Sequence, residues 1–186
     1  MGCALRKQER IYEDQALLAA QTHFSLEDVK SLTEIFKKLS RSICNDGFIS
    51  KEEFQLGLFR DNRKHSLFSD RMFNLFDSNK DGLIDVGEFI STLSIFHPDA
   101  SQTEKIAVAF KLYDIWQTGF IGREEVKELI FGLLYESELI LTDDIVEVII
   151  NQTIEESHSK GDGKIDIEEW INFVAHNPSL LKNMTI

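Results

Sequence analysis

The segment Asp77–Glu88, DSNKDGLIDVGE, carries oxygen-bearing side chains at its positions 1, 3, 5, 9 and 12: Asp77, Asn79, Asp81, Asp85 and Glu88. Gly82 stands at position six, where the chain must turn sharply. This is the spacing of an EF-hand calcium loop. Calcium is a hard cation that takes roughly 6–8 oxygen ligands, and one short loop of this kind can supply them. Asp77, Asn79 and Asp81 would give one oxygen each, Leu83 its backbone carbonyl, Asp85 an oxygen directly or through water, and Glu88 two. A plain acidic surface turn would not also need Phe73 and Phe76 closing an apolar stripe before it, or Phe89, Ile90 and Leu93 opening another after it.

The same pattern recurs. Aligned on the glycine, the apolar residue two later and the glutamate six later, Gly47–Ile49–Glu53, Gly119–Ile121–Glu125 and Gly163–Ile165–Glu169 match Gly82–Ile84–Glu88. The isoleucine sits where paired loops form a short β bridge, which suits a β-branched side chain. A helix–loop–helix unit cannot bury its own apolar face, so four copies imply two pairs. The expected fold is all-α: four EF-hands in two lobes, with short β bridges between paired loops. Residues 11–96 would form the first pair and 102–176 the second. His97-Pro98-Asp99-Ala100 would break the chain between them, within a 97–101 linker, and 177–186 would be a tail. Ser25 with Asp28 reads as a capping box, and Ser101 as the cap of the helix after the linker.

The loops differ in ligands. The first fits best as fourteen residues, Ser40–Glu53, with two inserted; Ser40, Asp46 and Glu53 are its candidate ligands, supplemented by backbone carbonyls. The third, Asp114–Glu125, offers Asp114, Thr118, the Phe120 carbonyl and Glu125, but has Trp116 at position three, which donates no oxygen. The fourth, 158–169, offers Asp162, the Lys164 carbonyl, Asp166 and Glu169. It carries His158 at position one and Lys160 at position three. Imidazole suits a hard cation poorly, and an ammonium repels one. Lys160 paired with Asp162 and Asp166 would hold this loop shaped without metal; the alternative is an empty, mobile loop.

The 186 residues suffice to bury a real core, and an apolar content of 42% with 14 Phe argues for a folded chain. A net charge of −12 argues against nucleic acid as a partner. Two cysteines, Cys3 and Cys44, make no disulfide framework and favour a reducing compartment. The five histidines are scattered and form no catalytic group with Ser, Cys or Asp, so no enzymatic activity is expected. Residues 1–10 stand apart: Arg6, Lys7 and Arg10 outweigh Glu9. Gly2 is placed for N-myristoylation and Cys3 for a second acyl chain, although Arg6 occupies a position where Ser or Thr is usual. One myristoyl chain anchors only marginally, so the second chain and the basic cluster would matter. An ordinary basic N-terminus is the competing reading.

Several segments together resemble the calcineurin B-like proteins, plant calcium sensors that bind a dedicated group of kinases. They are MGC at the start, the long first loop followed by KEEFQLGLF (51–59), FHPDAS (96–101), FKLYD (110–114) and NPSLLKNMT (177–185), and they span almost the whole chain. The resemblance implies calcium as ligand. It implies a serine/threonine kinase of the calcineurin B-like-interacting type as partner, held by an amphipathic helix in a hydrophobic groove. It implies release of kinase autoinhibition and recruitment to the cytoplasmic face of a membrane, plasma or vacuolar, beside a cytosolic pool. Candidate groove residues are Phe59, Phe68, Phe96, Leu133 and Leu134, each of which could equally be core. Relatives usually carry a further C-terminal tail with a phosphorylatable serine, whereas this sequence ends at Thr185-Ile186. A calcium-independent kinase adaptor, a calcium buffer and a homodimer stay open.

Overall fold

The computed structural model describes residues 13–59, 67–137, 139–157, 160–181 and 184. Helix α1 covers 13–21. It is followed by α2 (Leu26–Leu39), β1 (Ile49–Ser50), α3 (Lys51–Phe59), α4 (Leu67–Phe76), β2 (Leu83–Ile84) and α5 (Val86–Ile95). Then come α6 (Gln102–Tyr113), β3 (Ile121–Gly122), α7 (Arg123–Ser137), α8 (Asp143–Ser157), β4 (Lys164–Ile165), α9 (Ile167–His176) and a 3-10 turn over Pro178–Leu181. This is the all-α EF-hand fold.

Helix starts are set locally, as the capping signals predict. Ser25 Oγ accepts the Asp28 N–H at 3.2 Å while Asp28 accepts the Ser25 N–H at 3.0 Å. Ser101 and Glu104 repeat that reciprocal pair at α6. Asp85 and Glu88 repeat it at α5, and Asp166 and Glu169 at α9, so the last acids of two EF-hand loops double as helix caps. The isoleucines pair as their spacing predicts: Ile49 with Ile84, and Ile121 with Ile165, both antiparallel. Ile49 and Ile84 are 0% exposed. Ile84→Val should therefore cost about 1 kcal/mol, read as a lower urea midpoint at an unchanged denaturant slope.

The described residues form two compact units, 13–59 with 76–100, and 67–75 with those from 101 onward. In the first, Phe54 packs on Phe76 and Phe76 on Phe89, with ring centroids 5.2 and 5.8 Å apart, and Phe36 meets Phe89 at 5.6 Å. In the second, the buried Trp170 ring meets Tyr113 edge-on at 5.4 Å and donates its indole N–H to the Ile106 carbonyl at 3.0 Å. Here α6 packs on α9 and α7 on α8.

Most of α4 joins the second unit, whereas the repeat pattern groups it with the first pair. Arg71 shows the physical reason. Its guanidinium donates to the carbonyls of Ile115 at 3.0 Å and Asp114 at 2.7 Å, and also to those of Lys111 and Leu112. These groups lie at the end of α6, where a helix leaves carbonyls without intrahelical partners. A cation there also complements the helix dipole. Burial pulls the Arg71 pKa down, and the charges of Asp114 and Glu125 push it back up.

Candidate metal centre

In the second loop five of the six predicted positions lie between α4 and α5, and the sixth, Glu88, lies in the first turn of α5. Asp77 is 6% exposed. Its two carboxylate oxygens accept the N–H groups of Asp81 at 3.1 Å and Gly82 at 2.9 Å. Asn79 Oδ1 accepts the Asp81 N–H at 2.8 Å, and Asp81 Oδ1 accepts the Leu83 N–H at 2.9 Å. Glu88 reaches back across the loop: Oε1 accepts the Ser78 and Asn79 N–H groups, each at 3.1 Å, and Oε2 accepts the Asp85 N–H at 3.1 Å. Gly82 sits at φ +85, in the left-handed region that the tight turn requires. The backbone thus holds the acids along the loop in ligand order. Among the described residues no three acidic or imidazole side chains converge at metal distance, because the loop carboxylates lie on loop amides.

The donor set fits calcium. It offers carboxylate and amide oxygens with a backbone carbonyl, from enough positions for a six-to-eight-oxygen site. Asp77, Asn79, Asp81, Leu83, Asp85 and Glu88 would hold the ion. Bound calcium would supply a fixed divalent charge, and moving the Glu88 carboxylate onto it would shift the start of α5.

The first loop repeats this hook. Glu53, 1% exposed, accepts the N–H groups of Ile43 and Cys44 at 3.1 Å, ten and nine residues back, as Glu88 does with Ser78 and Asn79. Asp46 accepts the Phe48 N–H at 3.0 Å, as Asp81 accepts that of Leu83. The inserted length is therefore taken up ahead of Ile43. There α2 ends with the Ser40 N–H on the Phe36 carbonyl and the Ser42 N–H on that of Leu39. Ser40 itself is 2% exposed.

In the third loop Asp114 accepts the N–H groups of Thr118 at 2.8 Å and Gly119 at 2.9 Å, and Glu125 those of Trp116 at 3.1 Å and Gly122 at 2.7 Å. The Thr118 hydroxyl donates to the Phe120 carbonyl at 3.1 Å, so two predicted ligands engage each other. Trp116 points an exposed indole where an oxygen would serve.

The fourth loop differs in kind. Asp162 Oδ1 accepts the Lys164 N–H at 3.0 Å, and the Lys164 ammonium lies 5.7 Å from the Phe120 ring centre. Glu169 accepts the Lys160 N–H at 3.0 Å. The Lys160 ammonium pairs with Asp166 and stands 3.7 Å from Glu168. Of the two aspartates that the sequence offers it, Lys160 thus takes Asp166, while Asp162 turns to the backbone of its own loop. The Asp166 hydrogen bond raises the Lys160 pKa, and the same bond lowers that of Asp166. His158 lies outside the described residues.

The predicted partner groove is only partly placed. The side chains of Phe59 and Phe68 lie outside the described residues, as do Gly2 and Cys3. Phe96 is 8% exposed: at the C-cap of α5 it belongs to the core of the first unit. Leu133 is exposed and Leu134 half-buried. The structure adds exposed apolar residues that the sequence does not single out. They are Phe131 on α7, Leu139, Ile140 and Leu141 in the connection, and Ile145, Val148 and Ile149 on α8. The signal for them was the apolar run LILTDDIVEVII, which fits a buried amphipathic helix equally well.

An EF hand family model matches residues 45–58, 68–94 and 159–174. Calcineurin B-like protein 5 of Arabidopsis thaliana is 50% identical over 188 residues, covering 100% of this chain and 93% of that protein. Type 2 calcineurin B of Dictyostelium discoideum is 33% identical over 165 residues, covering 87% of this chain and 84% of its own length. Calcineurin B of Naegleria gruberi is likewise 33% identical, over 89% of this chain and 88% of its own. With the calcium loops in place and this likeness running the full length, the chain belongs to the calcineurin B-like family of EF-hand calcium sensors, proteins of the regulatory-subunit type.

Proposed function

We propose that this sensor binds and activates a serine/threonine kinase, taking an amphipathic helix of the kinase on the apolar surface of α7, α8 and their connection. The observation that carries this reading is the exposure of large apolar side chains there, with Ile140 at 95%, Leu139 at 63% and Val148 at 61%. Scattered surface apolar residues are ordinary, but such a concentration on neighbouring elements supports a docking surface there. Helix-in-groove recognition uses anchors of this kind. Filling the second loop would tighten the helix, and by reciprocity the helix would tighten calcium equally. Recruitment to a membrane would come from acylation at Gly2 and Cys3 with Arg6, Lys7 and Arg10 beside them. Among the described residues no helix is long and apolar enough to cross a membrane. A phosphatase partner is the second reading, favoured by the relatives that carry the name calcineurin B.

Calorimetry with an amphipathic kinase-derived peptide, in saturating calcium and in chelator, tests this. Val148→Asp with Ile145→Asp should weaken the peptide at least about tenfold, or ~1.4 kcal/mol. Affinity equal with and without calcium would instead make the protein a constitutive adaptor. Affinity unchanged in the double variant would place the docking surface elsewhere.

A further inference from the structure

A calcium ion in an EF-hand loop ties the start of the loop to the acids at positions nine and twelve. In the fourth loop one residue already makes both ties. The Lys160 N–H donates to Glu169 Oε1 at 3.0 Å, and the Lys160 ammonium pairs with Asp166, which is position nine and the N-cap of α9. The Asp166 side chain is 19% exposed and that of Lys160 52%, so the ion pair sits at the rim of the loop with its ammonium half in water. Glu168, 3.7 Å from the ammonium, adds a second negative charge. The oxygens left over fall short of a calcium site: Lys160 and His158 replace the donors at positions three and one. We propose that Lys160 is a tethered substitute for the metal, which excludes calcium from the fourth loop and keeps the second unit's paired loops closed when calcium is absent. Lys160 thereby determines which loops of this protein respond to the ion. The third loop shares the β3–β4 pairing with the fourth and is held in shape through it, while the second loop keeps the complete donor set.

The role of Lys160 rests on the calcium-sensor reading only in that the second loop takes the metal, and the same experiment reports the two loops separately. The amide signals of Gly82 and Gly163 are followed by NMR through a calcium titration of the full chain. In the wild type Gly82 should move at the first equivalent and Gly163 should show no binding of its own. His158→Asp with Lys160→Asn should gain one equivalent, reported by Gly163. In chelator, Lys160→Met should speed amide exchange at Ile165 and Trp170 about threefold, and leave Ile84 unchanged. Lys160→Arg keeps the charge and should keep the protection, which separates loss of the ion pair from general unfolding. A wild-type Gly163 that titrates with its own equivalent of calcium overturns the proposal. So does a double variant that folds but gains no calcium, or Lys160→Met with unchanged exchange. Should Gly82 fail to titrate, the assignment of calcium to the second loop fails, whatever Gly163 does.

Discussion

Glu88→Gln is expected to lower calcium affinity about 100-fold or more, roughly 2.7 kcal/mol, and to remove the tightest site from a calorimetric titration. The carboxylate reaches both ends of the second loop, touching Ser78 and Asn79 with one oxygen and Asp85 with the other. Glutamine keeps the length and one oxygen. It loses the negative charge and replaces the other oxygen with an NH2 group, which cannot accept an N–H. A bidentate anionic ligand becomes at best a neutral monodentate one. The fold should change little, by about 1 kcal/mol for the altered hydrogen bonds, so circular dichroism of the variant should match the wild type. An unaltered titration would move the primary site to another loop, of which the first, with its buried Glu53, is the next best.

Arg71→Ala should destabilise the second unit by about 3–5 kcal/mol in urea denaturation, with the loss appearing first as faster amide exchange at the end of α6. The guanidinium satisfies the carbonyls of Lys111, Leu112, Asp114 and Ile115, and the residue is 8% exposed. Alanine would leave the carbonyls of Lys111, Leu112 and Ile115 facing a cavity, while that of Asp114 keeps the Gln117 N–H at 3.3 Å. Lysine should recover only part of the stability. A point-like ammonium on a single stem cannot span four carbonyls as a planar fork does. A cost below about 1 kcal/mol for the alanine variant would mean that water replaces the guanidinium. The consequence would reach calcium chemistry too, because Asp114 is both one of the capped residues and the first residue of the third loop.

The calcium loops were legible because their chemistry is local. Ligand spacing, the glycine at the turn and the caps at Ser25 and Ser101 all act within a dozen residues, so order in the sequence is order in space. The isoleucine pairing was legible for a related reason: the same residue recurs at the same loop position, and two edges that each need a partner find one another. Phe96 and Leu133 were less so. Both are large apolar residues on or at the end of helices, and periodicity alone does not say which of them turns inward; packing buried Phe96 and left Leu133 in water.

The sequence by itself determined four EF-hand loops, their pairing, calcium as the ligand and the second loop as the one with a complete donor set. Tertiary structure decided what depends on distant partners. Arg71 finds its acceptors some forty residues along the chain. Lys160 could have met Asp162 or Asp166, and the turn of the loop brought Asp166 to it. The first loop's insertion settled ahead of Ile43, because Glu53 must hook the loop start from a position fixed by Ile49 pairing with Ile84. For Arg71 and Glu53 a buried charge had to be satisfied and for Lys160 a half-exposed one, and only the folded chain sets which group lies near enough to do it.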